Sequence, residues 1–260
     1  MLAGRSVTFV VAVNNSEIFE SNFLASPCLG TSHNHQILVQ KDFTSAAKAY
    51  NSAIDRSVND IMVFAHQDIL LPEFWLSQLE NALDRLQEID PQWGVCGCYG
   101  ETANCEGRGH VFYFGVMGES FEDPTPVQTL DEIVLILRKS SGLRFDEQLP
   151  NFHMYGADIC MTAAQQGMKS YAISAFCIHN SIQTFVLPKE FYESCKHFKR
   201  KWLEYLPVQT TCIKITRFNL PLYWRKLNEV YLRYIARKTV GGVRVKNPHE
   251  LLAQFKLTRP

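Results

Sequence analysis

Runs of apolar and polar positions change period along this chain, and each change marks an element. Residues 7–13 (VTFVVAV) are an unbroken β-branched and apolar run closed by Asn14-Asn15-Ser16, the pattern of a strand buried on both faces of a parallel sheet. Residues 36–40 (QILVQ) and 60–65 (DIMVFA) repeat the pattern, the second ending directly on His66-Gln67-Asp68. Between them, residues 44–54 carry Ala46, Ala47, Ala49 and Ala53, which predicts a small-residue helix packed close to its neighbour. After Pro72, suited to a first helical turn, Trp75, Leu76, Leu79, Leu83 and Leu86 recur at helical spacing, so a helix is predicted to about residue 88, before Pro91. Residues 93–99 read as a strand. The glycine- and charge-rich stretch 100–123 is expected to be the most irregular part, with 111–117 as a hairpin arm.

Residues 127–138 place Asp131-Glu132 ahead of IVLILR, read as a strand. A helix over 157–166, closed by Gly167, holds Asp158 in its first turn. Residues 171–178 are a strand that delivers His179-Asn180-Ser181. Past Pro188 the texture turns helical, over 191–205, 222–237 and 248–255, the last with Asn247 as N-cap and Pro248 at the first position. This order predicts an α/β body over residues 1–187 with a helical extension, residues 188–260, packed on it.

At 260 residues, 46% of them hydrophobic, the chain has enough apolar material for one large α/β core. Lys plus Arg and Asp plus Glu number 26 each, so no net field draws nucleic acid, which is excluded as the expected partner. No run reaches the roughly 18 apolar residues of a spanning helix, and the opening segment reads as a buried strand rather than a leader. The expected location is the cytoplasm. The eight cysteines then read as buried thiols; Cys96, Cys98 and Cys105 lack the second half of a structural zinc site.

Strand ends in an open α/β sheet line one crevice. Asn14, His66, Asp68 and His179 therefore converge, and Asp68, two residues after a histidine, suits a divalent ion. On spacing alone His66 and Asp68 read equally as caps of the following helix, Asp158 as a helix-capping acid, and His179 as a structural histidine.

The succession HQD-I-x-x-P-x-F-W, FDE, FHMYGAD and CIHNS resembles the glycosyltransferase-like group allied to family 2 glycosyltransferases, over roughly residues 7–215. The resemblance implies a GT-A nucleotide-diphospho-sugar transferase fold, with a mixed, mostly parallel central sheet flanked by helices. It implies a Mn²⁺ or Mg²⁺ ion on Asp68 as the last residue of a D-x-D-like motif, His66 standing where the first acid is usual. His179 matches a histidine of the metal shell. Asn14, Lys48 and Asn51 match donor contacts, for a UDP-sugar ahead of a GDP-sugar. Asp158 matches the general base of an inverting transfer to a glycan or other hydroxyl acceptor, with His153, Tyr155, Asp131 and Glu132 on the acceptor side. A metal-dependent phosphoesterase and a non-catalytic sugar-nucleotide binder are the competing classes. The basic aromatic helix YESCKHFKRKWLEY (192–205) reads as a solvated face packed by Phe198 and Trp202, or as a peripheral contact to a membrane-linked acceptor.

Overall fold

The unbroken apolar runs form the centre of a seven-stranded sheet in a computed structural model that describes residues 5–30 and 35–255. Its strand order is Gln36–Gln40, Val7–Ala12, Ile61–His66, Val134–Arg138, Val95–Gly97, Ser170–Ala172 and Thr125–Val127. The first three are mutually parallel. Val134–Arg138 runs antiparallel to both its neighbours, Ser170–Ala172 parallel to Val95–Gly97, and the last strand antiparallel at the edge. The sheet is mixed, as the α/β reading requires.

Continuous apolar strands need cover on both faces, because alternate side chains point to opposite sides. Val10, Met62, Phe64, Leu135 and Leu137 pack into one core with helices Ala46–Arg56, Tyr155–Gln165 and Lys189–Lys201. Their sequence neighbours Phe9, Val11, Val63, Ala65 and Ile136 pack into another with helix Trp75–Ile89. Trp75, Leu79, Leu83 and Leu86, buried at helical spacing, make that helix's inner stripe.

Two expectations change. The stretch expected to be irregular supplies strands Tyr99–Glu101, Gly107–Phe112 and Val116–Gly118 of a second sheet, which also contains Thr129–Leu130, Cys177–His179 and Ile69–Leu70. Residues 171–178 are two strands, not one. Ser170–Ala172 belongs to the large sheet and Cys177–His179 to the second, and between them Ile173 still donates to Gly97 O (2.9 Å) while Phe176 N binds Gln78 Oε1 (3.0 Å). An apolar run buried throughout hides such a transfer between sheets.

Beyond Pro188 the chain adds Phe191, Phe198, Trp202, Val208 and Ile215 to the first core. Short strand pairs Val208–Gln209 with Lys214–Ile215, and Gln183–Thr184 with Val240–Gly242, interrupt the helices. The final helix is His249–Gln254 with Pro248, not Asn247, at its N-cap; Asn247 Oδ1 accepts from His249 N at 3.2 Å in the turn just ahead of it.

Asn51, on helix Ala46–Arg56, holds the loop that follows Gly142. Its Oδ1 accepts from Phe145 N (3.0 Å), and its Nδ2 donates to Phe145 O (2.9 Å) and Glu147 Oε1 (3.0 Å). Removing a buried amide orphans a backbone N–H and C=O, at about 1–3 kcal/mol for each unpaired group. Asn51→Ala is therefore expected to lose about 2–4 kcal/mol of stability in urea unfolding while leaving nucleotide affinity unchanged.

Candidate active site

Register sets the position of the cleft. Gln40, Ala12 and His66 lie level at the carboxyl ends of the three parallel strands, and a cleft of about 510 Å³ opens just beyond them, where ligands of open α/β sheets bind. Asn14, Lys41, Tyr50, His66, Asp68 and Tyr155 are among its walls. Gln67 braces the rim: its Oε1 accepts from Asn14 N (3.1 Å) and Asn15 N (3.0 Å), and its Nε2 donates to Asn14 Oδ1 (2.6 Å).

Asp68 and His179 meet because their strands are paired. His179 lies opposite Ile69 in an antiparallel pair, and Asn180 N donates to Asp68 O at 2.9 Å. His179 Nε2 stands 3.2 Å from Asp68 Oδ1, and Arg244 Nη2 donates to Asp68 Oδ2 at 2.8 Å. The His66 and His179 rings meet edge to face at 5.4 Å, and Tyr113 stacks on His179 at 4.9 Å. His66, Asp68 and His179 each offer a ligand atom, all within 4.8 Å of one another, the one such group of three among the described residues.

The electrostatics suit a cation. Burial raises the Asp68 carboxyl, but His179, His66 and Arg244 outweigh it and hold the group well below the usual carboxylate range. Burial, with His179 beside it, pushes His66 down to about 4, so its imidazole is neutral at physiological pH. His66 Nε2 is 2.9 Å from Tyr155 Oη, which donates to Glu132 O at 3.1 Å. With the Tyr155 proton on that carbonyl, Nε2 is the donor to Tyr155 and Nδ1 keeps its lone pair. A ligand histidine is commonly fixed in this way by the hydrogen bond of its other nitrogen. His179 Nδ1 is buried without a hydrogen-bond partner among the described residues, so this ring retains unspent bonding capacity. Two imidazoles and a carboxylate fit a divalent ion, Mn²⁺ better than Mg²⁺, which prefers oxygen alone.

Other residues singled out in the sequence lie elsewhere. Asp158 does not face the cleft: it is 1% exposed, and its carboxylate binds Lys201 Nζ (2.8 Å) and Trp202 Nε1 (2.7 Å), fastening helix Lys189–Lys201 to helix Tyr155–Gln165. Both of its oxygens are engaged by these two side chains, away from the cleft. Lys48 is exposed and outside the cleft wall, and Asn51 is committed to Phe145. His153 packs edge to face on Phe191 at 5.6 Å. Glu132 Oε1 accepts from Gly156 N (3.3 Å) beneath the helix start. Asp131 is half-buried, with Oδ1 accepting from Ile133 N at 3.1 Å, and its charge acts on both His66 and Tyr113.

Sequence reasoning missed Arg244, Tyr113, Lys41 and Asn180. Asn180 clamps the arginine's segment, with Nδ2 donating to Val245 O, Oδ1 accepting from Val245 N, and its carbonyl accepting from Arg244 Nε (2.8, 2.8 and 2.7 Å). The pair Asn180 and Val245 is 65 residues apart in sequence, so no local pattern marks it. Lys41 and Asn180, each close behind a strand end, carry the signal that was available.

The chain belongs to the glycosyltransferase-like family, whose model matches residues 8–202. A curated relative, "ATP synthase subunits region ORF 6" of Fuscovulum blasticum, is 25% identical over 165 residues, covering 61% of this chain and 66%, just under two thirds, of its own length. Among solved structures, the mannosyltransferase PcManGT from Pyrobaculum calidifontis in complex with GDP-Man and Mn²⁺ is 14% identical, covering 98% of this chain and 82% of that one (TM-score 0.48). S. aureus TarS 1-349 in complex with UDP is 14% identical over 76% of this chain and 65% of that one (TM-score 0.47).

Burial, reinforced by Asp131, pushes the Glu132 carboxyl up to about 8 from an ordinary 4.5. A raised carboxyl stabilises the fold fully below the unfolded value and loses that contribution as pH climbs through the folded value. Glu132→Gln is thus expected to gain stability relative to the wild type between about pH 5 and pH 9, by more than about 1 kcal/mol. Thermal unfolding across that range checks it; a difference independent of pH would contradict a neutral Glu132.

Proposed function

We propose that the cleft binds a nucleotide-diphospho-sugar with a divalent ion held by Asp68, His179 and His66, and that the protein transfers the sugar to an acceptor hydroxyl with inversion. The observation that carries this reading is the His66, Asp68 and His179 group at the end of a parallel strand, in a chain of the glycosyltransferase-like family. Bound there, the ion would supply positive charge against the departing diphosphate.

The chain's own residues divide the remaining tasks. Asn14, Lys41 and Asp42, on the ends of the first two strands, line the side of the cleft suited to the nucleotide, with the Lys41 ammonium available to a phosphate. Tyr155 and Glu132 fix the His66 tautomer, and Tyr113 holds the His179 ring by stacking. Asp131 is assigned the general base in place of Asp158: a half-buried carboxylate whose charge reaches His66 and Tyr113, where proton removal is typically worth about 10²–10⁴ in rate.

Calorimetric titration with UDP, GDP and their sugars, with and without Mn²⁺, tests the reading. Metal-dependent binding of one nucleotide is expected, lost in Asp68→Ala, with Asp158→Asn binding normally despite lower stability. No binding of any nucleotide would overturn it. With a donor in hand, Asp131→Asn is expected to lower kcat about 10²-fold or more with little change in donor affinity.

A further inference from the structure

Helix Leu220–Tyr234 has two faces of opposite character. Leu222, Arg225, Glu229 and Leu232, three or four residues apart, form the inner row, all at least partly covered. Glu229 is its anchor, with Oε1 accepting from Tyr192 Oη (2.7 Å), Leu187 N (3.0 Å) and Arg225 Nε (3.3 Å). The outer row is Leu220, Tyr223, Trp224, Leu227, Tyr231 and Tyr234, each between 50% and 74% exposed. Phe218 (81%) and Ile235 (71%) extend it at both ends. A helix facing water carries polar residues on that side, and a contiguous exposed apolar patch marks an interaction surface.

Charge selects the occupant. Over residues 217–238 the ionisable side chains other than tyrosine are Arg217, Arg225, Lys226, Arg233, Arg237, Lys238 and the buried Glu229. A chain with equal numbers of acids and bases overall has thus gathered cations here, with no exposed carboxylate among them. Lys226 lies over the Tyr192 ring at 4.6 Å and Arg225 turns to Glu229, while Arg217, Arg233, Arg237 and Lys238 are exposed. A second copy of this helix would set one row of cations against another. An aliphatic and aromatic stripe rich in tyrosine and tryptophan, bordered by Arg and Lys, matches a layer with an apolar interior and an anionic edge. Among the described residues no helix is long and apolar enough to cross a membrane, so the helix would lie in the surface.

We propose that Leu220–Tyr234 docks the protein on an anionic phospholipid membrane, the outer row entering the headgroup layer and the exposed cations meeting lipid phosphates. The proposal is independent of the transferase reading, although a short path joins the two: strand Val240–Gly242 and then Arg244, bound to Asp68, follow the helix.

The test uses the intact chain with phosphatidylcholine vesicles, with and without phosphatidylglycerol, read by co-sedimentation and by tryptophan emission. Trp75, Trp93 and Trp202 are buried and Trp224 is 65% exposed, so a blue shift reports entry of the outer row. Binding is expected to the anionic vesicles, weakened by salt. It should fall at least about tenfold both in Trp224→Ser/Leu227→Ser and in the charge reversal Arg233→Glu/Arg237→Glu, with circular dichroism confirming that both fold. Three results would overturn the proposal: no binding to phosphatidylglycerol vesicles, full binding by both variants, or self-association through this face without vesicle binding.

Discussion

The carboxylate of Asp68 is the charge around which this end of the molecule is organised. Buried near the base of the cleft, it is held ionised by Arg244, which donates to Oδ2 at 2.8 Å, with His179 Nε2 3.2 Å from Oδ1 and the neutral His66 ring against that of His179. An isolated buried carboxylate would instead take up a proton. Each supporting group arrives from a different part of the chain: His66 from the third parallel strand, His179 from the second sheet, and Arg244 from the segment after the docking helix. The two sheets and the C-terminal extension are therefore tied together at one charged point. Removal of any one group shifts the charge balance felt by the others.

That constraint also separates the chemical residues from the structural ones. Carboxylates and amides with every atom spent on the protein, such as Asp158 on Lys201 and Trp202 or Asn51 on Phe145, hold helices and loops in place. Asp68 and Asn14, by contrast, line the cleft. Arg244 sits between these classes: its Nε is bound to Asn180 O, while its Nη2 occupies an oxygen of Asp68.

The central strands were legible in the sequence because a strand buried on both faces has no polar alternation to blur it, as Val7–Ala12 and Ile61–His66 illustrate. His66, Asp68 and His179 were legible as polar groups at the ends of such runs. The second sheet was not: its strands have two to six residues and include Gly107 and Gly109, so their pairing depends on partners far along the chain. Asp158 shows the limit for single residues. A carboxylate in a first helical turn reads alike whether it meets a substrate or a lysine 43 residues away. Arg244, 176 residues from Asp68, left no local trace at all.

The most direct measurement is pulsed electron paramagnetic resonance of Mn²⁺ added to the purified chain. With His66 and His179 as ligands beside Asp68, the bound ion is predicted to show nitrogen couplings from imidazole, reduced in His179→Ala and absent when both histidines are replaced. Bound Mn²⁺ without nitrogen coupling, or coupling unchanged in those variants, would contradict the assignment of this cluster as the metal site.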